Sequence, residues 1–198
     1  MKSKLPSEKW DQFVRGDHDS FRELFNGYYK GLYGYGLKIC GKPDLVEDTI
    51  QNLFTSIWER RNELEHIESP NVYLFISLRR SILNKIRQQN RRDEIAEKVH
   101  SNYDIYFGAE EIIIKNENKL EQKERLQEAL NQLSNKQKEV LYLHYYNGMS
   151  YGEIEEILSI NRQSVRNHMY RAMETLRAVM DTHVMRLVIS LLLAFLGG

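Results

Sequence analysis

The stretch "SYGEIEEILSINRQSVRNHMYRA", Ser150 to Ala172, decides how the rest of the chain reads. Ser150 followed three residues later by Glu153 is a capping box, so a helix starts there. Ile154, Ile157 and Leu158 share one face of that helix, and "SIN" ends it after about nine residues. Asn161 suits the N-cap of a second helix, whose apolar stripe resumes at once through Val165, Met169, Met173 and Leu176. Two helices joined by so short a turn are either the reading half of a tri-helical DNA-binding unit or a plain helical hairpin with a solvated basic face. The polar side of the second helix favours the first reading. It carries Arg162, Gln163, Ser164, Arg166, Asn167, Tyr170 and Arg171, and Arg and Gln can bind base edges bidentately in a major groove. Two positions are unusual for such a unit: Glu155 stands at the contact between the helices, and Ser159 stands in the turn where Gly is common. The Glu155 carboxylate must point outward or find a partner such as Arg166. Ser159 costs about 1 kcal/mol if the turn needs a positive φ.

Upstream, Ser134 and Gln137 form a second capping box, opening "NKQKEVLYLHYYN", and Gly148 is a suitable stop. Leu126, Leu130 and Leu133 continue the helical spacing backwards. Between Gln88 and Asn118 the pattern dissolves into mixed charges and Asn, which reads as a linker with a short helical piece near Glu110 to Lys115. Before it, Phe21, Leu24, Phe25, Tyr28, Leu32 and Tyr35 make one stripe. Asp44 with Glu47 suggests a capping box for a helix lined by Val46, Ile50, Leu53 and Ile57. Ser69-Pro70 starts another, lined by Phe75, Leu78, Ile82 and Ile86. No segment alternates with period two for long. The expected fold class is all-α: two small helical domains joined by a flexible linker, the second a winged-helix-like tri-helical unit with a helix-turn-helix.

The 28 basic and 28 acidic residues cancel, so only the placement of charge is informative. From Arg79 to Arg92 there are six basic residues and no acid. The single cysteine, Cys40, allows no internal disulfide and fits a reducing compartment. The N-terminus lacks the apolar core of a signal peptide. The six histidines are scattered without metal-ligand spacing, there is no P-loop, and neither a metal, a cofactor nor a catalytic residue is expected. Val184 to Leu196, "VMRLVISLLLAFL", is too short for a stable membrane span; it is either a packed terminal helix or a contact surface for a partner or membrane face.

Taken together in order, these motifs resemble the sigma factors of bacterial RNA polymerase, of the extracytoplasmic-function (ECF) type with only regions two and four. "VEDTIQNLFTSIWERR" is similar to the region that grips the clamp coiled coil of the polymerase; the resemblance assigns core binding to Asp48, Gln51, Asn52, Phe54 and Trp58, with Asn52 where an acid is usual. At least one of the two aromatics is expected to be mostly core. "YLFISLRRSILNKIRQQNRR" is similar to the segment that melts and reads the minus-ten element, which implies DNA contacts for Tyr73, Arg79, Arg80, Asn84, Lys85 and Arg87; Arg80 stands where Asn is common. "EALNQLSNKQKEVLYLHYYNGMSYGEIEEILSINRQSVRNHMYRAMETLR" is similar to region four, which reads the minus-thirty-five element. The resemblance implies residues 1–92 as region two, 93–122 as linker, 123–182 as region four and 183–198 as an apolar tail. It implies a cytoplasmic, non-catalytic specificity subunit. Its partners would be core polymerase (clamp coiled coil and flap), promoter DNA and an anti-sigma factor able to hold it at the inner membrane. A free-standing regulator, in which residues 1–92 sense a ligand or dimerise, would leave the basic run after Arg79 unexplained.

Overall fold

The computed structural model describes residues 7–93 and 127–179, which fall in two separate units. The linker expected from Gln88 starts later than read, because the helix opened at Pro70 continues to Asp93; the rest of the linker and the apolar tail lie outside the described residues. Among those described, every regular element is helical.

The first unit is built from α1 (Ser7–Val14), α2 (His18–Cys40), α3 (Pro43–Glu59), a single 3-10 turn (Arg61–Glu63) and α4 (Pro70–Asp93). Asp17 caps α2, accepting a hydrogen bond from the Ser20 amide at 2.8 Å. That bonding to Ser20 holds the Asp17 carboxyl below the usual carboxylate range. Gly41, at φ 62°, closes α2 and turns the chain directly into α3. The capping box expected from Asp44 and Glu47 does not form. α3 begins two residues earlier, with Pro43 in its first turn and Lys42 as an N-cap without a side-chain bond, because proline supplies the starting φ and has no amide to satisfy. Ser69-Pro70 does open α4.

α2 is the central element, with α1, α3 and α4 packed around it. Leu24, Tyr28, Leu32, Tyr35 and Ile39 bury one side of it against Val46, Ile50, Leu53, Leu74, Leu78 and Ile82. Phe21 and Phe25 are half-buried at the rim of that stripe. The helix crossing is close at Gly36, where an added Cβ would lie 2.6 Å from Val46 Cγ1 and 3.1 Å from Ile82 Cδ1. The short α1 is an addition to what periodicity indicated. It buries Trp10 and Phe13, and the Trp10 indole donates to the Leu64 carbonyl at 3.3 Å.

The second unit holds a helix whose described part is 127–132 (α5), then α6 (Asn135–Tyr145), α7 (Tyr151–Leu158) and α8 (Arg162–Val179). Both expected capping boxes are present, at Ser134 with Gln137 and at Ser150 with Glu153. Gly148, at φ 64°, lets the chain reverse between α6 and α7. Leu130, Leu133, Val140, Leu143, Ile154, Ile157, Leu158, Val165, Met169, Ala172 and Leu176 close a core in which α6 and α7 pack on α8.

Candidate nucleic-acid and polymerase interfaces

The turn between α7 and α8 sets the angle of the candidate reading helix. α7 ends with the Ile160 amide donating to Glu155 O at 3.2 Å and the Ser159 amide to Glu156 O at 3.3 Å, a Schellman arrangement. Ser159 occupies the left-handed position, φ 52° and ψ 47°, that this motif normally gives to glycine. Asn161 Oδ1 then accepts from the Ser164 amide at 2.8 Å and starts α8. Glu155 is half-buried and, among the described residues, forms no ion pair with Arg166 or any other cation, so its carboxylate takes the outward course.

With Val165, Met169, Ala172 and Leu176 buried, the opposite side of α8 faces solvent. Arg162, Gln163, Arg166, Asn167, Tyr170 and Arg171 are all exposed there, and Ser164 is half-buried at the first turn. Tyr170 is 65% exposed, an unusual position for a large ring with no surface to cover. Gln163 Nε2 donates to Asn167 Oδ1 at 3.1 Å, which aligns these two amides along the helix. Arg162, Arg166 and Arg171 form no ion pair among the described residues, so their charge is available to phosphates or base edges. His168 lies at the edge of this face. Burial, then the Lys136 and Arg171 charges, push its pKa down. Lys136, near the start of α6, pairs with Glu139 at 3.8 Å and still adds its charge to the field at His168; residues 32 apart in sequence gave no sign of it.

In the first unit, α3 turns Asp48, Gln51 and Asn52 to solvent. Phe54 is not on that surface. It is 2% exposed, wedged edge-on against Phe21 and Phe25 at ring distances of 6.0 Å and 4.9 Å, and so supports α3 from beneath. Trp58 is half-buried: Phe21 lies 5.0 Å from it, the His18 ring 4.4 Å, and the Arg61 guanidinium 4.8 Å over its face. One edge of the indole is therefore core and the other rim, and His18 and Arg61 join the site although no sequence pattern marked them.

On α4, Arg80, Asn84 and Arg87 are exposed, and Tyr73, Arg79 and Lys85 half-buried. Arg87 donates to Asn84 Oδ1 at 3.2 Å. The two candidate sets of this unit meet: Lys85 Nζ donates to Asp48 Oδ2. That bond and the Lys85 charge hold the Asp48 carboxyl below its ordinary range. Among the described residues there is no cluster of His, Cys, Asp and Glu able to hold a metal, and no helix long and apolar enough to cross a membrane.

Comparison with known proteins follows this division. The family described as Sigma-70 region 2 matches residues 24–92, and that described as Sigma-70, region 4 matches residues 123–176. The ECF RNA polymerase sigma factor SigK of Mycobacterium ulcerans (strain Agy99) is 22% identical over 177 residues, covering 86% of this chain and 90% of the relative. SigK of Mycobacterium sp. (strain KMS) is 24% identical over 166 residues, with 80% and 81% covered. Among solved structures, the sigma factor RpoE in complex with the anti-sigma factor NepR from Bartonella quintana superposes with a TM-score of 0.60 at 20% identity, covering 81% of this chain and 96% of that one. CnrH in complex with the cytosolic domain of CnrY gives a TM-score of 0.58 at 17% identity, with 86% and 94% covered.

Proposed function

Because the chain belongs to the sigma-70 family, as an RNA polymerase sigma factor of the ECF type that directs core polymerase to promoters, we propose how its residues divide that work. The exposed side of α8 reads the minus-thirty-five element. Arg162, Gln163, Arg166 and Asn167 reach base edges, Tyr170 and Arg171 reach the backbone, and Ser164 meets a phosphate at the helix N-terminus. Asp48, Gln51 and Asn52 contact the clamp coiled coil, with Trp58 at the rim and Phe54 holding the helix rigid beneath them. Tyr73, Arg79, Arg80, Asn84, Lys85 and Arg87 hold the opened minus-ten strand, where basic groups track phosphates and the ring stacks a base. Polymerase supplies the catalytic chemistry. Residues 93–122 serve as the tether, and the chain acts in the cytoplasm until an anti-sigma factor covers its modules.

The observation that carries this reading is the two-sidedness of α8: four apolar residues sealed in the core, and six polar or aromatic ones exposed together on the other side. Run-off transcription by bacterial core polymerase on a randomised promoter library tests it. Specific starts that depend on the protein, with both elements enriched, are expected. Specific binding to half-sites without polymerase, and no new starts, would replace this division of labour with that of a free-standing regulator.

A further inference from the structure

α3 and α4 are tied together along their polar edges at two places. Lys42 Nζ, at the start of α3, donates to Gln89 Oε1 at 3.2 Å, and Lys85 Nζ donates to Asp48 Oδ2. Asn52, exposed one turn further along α3, lies on the same edge. The Lys85 side chain is 33% exposed against 62% for Asp48, so the lysine stem lies along the protein and its ammonium is turned toward α3. Of the basic residues proposed to hold the minus-ten strand, Lys85 is thus bound to a carboxylate proposed to contact polymerase. One ammonium cannot fully neutralise both a carboxylate and a phosphate, so a cation that takes over the Asp48 carboxylate frees Lys85 for another anion.

We propose that Asp48 is a positioning residue for DNA that acts through Lys85. In the free protein it withholds the Lys85 ammonium. When a cationic or hydrogen-bond-donating group of the clamp takes the Asp48 carboxylate, Lys85 swings to a DNA phosphate. Exchange is feasible because solvent-accessible ion pairs are weak and screened, so a competing partner of ordinary strength displaces them. By linkage the effect runs both ways: single-stranded DNA on Lys85 tightens the grip of polymerase on Asp48 by the same factor. The inference rests on the residue roles proposed above and gives the first unit a way of engaging DNA more strongly on polymerase than off it.

The test uses the full chain, alone and as holoenzyme, with a short fluorescent single strand carrying the minus-ten sequence that the run-off experiment selects. Lys85→Gln is expected to weaken binding less than about twofold in the free protein, and about three- to fivefold in holoenzyme. Only in holoenzyme should it also reduce the salt slope, by about 0.7. In the free protein, Asp48→Asn should tighten DNA binding and make a second Lys85→Gln change costly. A purely structural ion pair would move thermal stability and leave the salt slope alone. An equal cost of Lys85→Gln in both states would overturn the latch while leaving the residue roles intact. No cost in either state would overturn it by removing Lys85 from the DNA contacts. Failure of the run-off experiment itself would strike the parent reading instead.

Discussion

Ser159 holds φ 52° and ψ 47° at the end of α7, a conformation in which a Cβ crowds the following carbonyl. It is exposed, so Ser159→Gly is expected to stabilise the second unit by about 0.5–1 kcal/mol, read as a higher denaturant midpoint with an unchanged m-value. His168 supplies a second residue-level expectation. Its folded pKa lies below the unfolded value, so the unfolded chain binds more protons in that window and stability rises with pH. The second unit should therefore lose stability as pH falls from about 7 toward 5, starting near the unfolded histidine pKa of about 6.5. His168→Gln should flatten that part of the profile relative to the unchanged protein, and parallel profiles for the two would refute the assignment. The helix caps were readable from sequence because they are local: Ser134, Ser150 and Asn161 each bond an amide three residues away. The environment of His168 was not, because the burial and part of the charge around it come from other helices.

At the level of elements, α2 owes its position to Gly36. A methyl group there would fall 2.6 Å from Val46, whose branched side chain is buried and has nowhere to retreat. Gly36→Ala should thus push α2 and α3 apart and cost about 1–3 kcal/mol, despite alanine being the better helix former. Ser150→Ala removes one half of the α7 capping box and should cost about 1 kcal/mol. Periodicity, with the capping boxes, located α2, α4, α6, α7 and α8, because each shows a stripe of three or more apolar residues or a cap signal at its start. It missed α1, whose burial comes from just two aromatics one turn apart; α7 is no longer, but the Ser150–Glu153 capping box marks its start. The start of α3 was misplaced for a related reason: the Asp44–Glu47 spacing imitates a capping box, and Pro43 one residue earlier already begins the helix.

On the scale of the whole molecule, each unit closes its own core. Both tryptophans, Trp10 and Trp58, sit in the first unit, so tryptophan emission follows that unit while far-UV circular dichroism follows both. Gly36→Ala should lower the emission midpoint. Ser150→Ala should move part of the dichroism transition and leave the emission midpoint where it was. A shift of emission by Ser150→Ala would mean that the two units unfold as one. The sequence by itself determined the all-helical class, the order of the elements, the helix-turn-helix with its exposed basic face, and the family, since caps, stripes and motifs are written in residues a few positions apart. Tertiary structure alone decided which candidate residues reach solvent. It sank Phe54 beneath α3, put His18 and Arg61 on Trp58, brought the Lys136 charge to bear on His168, and joined Asp48 to Lys85. Each of those outcomes depends on groups brought together by helix packing, and the distance along the chain between them carries no trace of it.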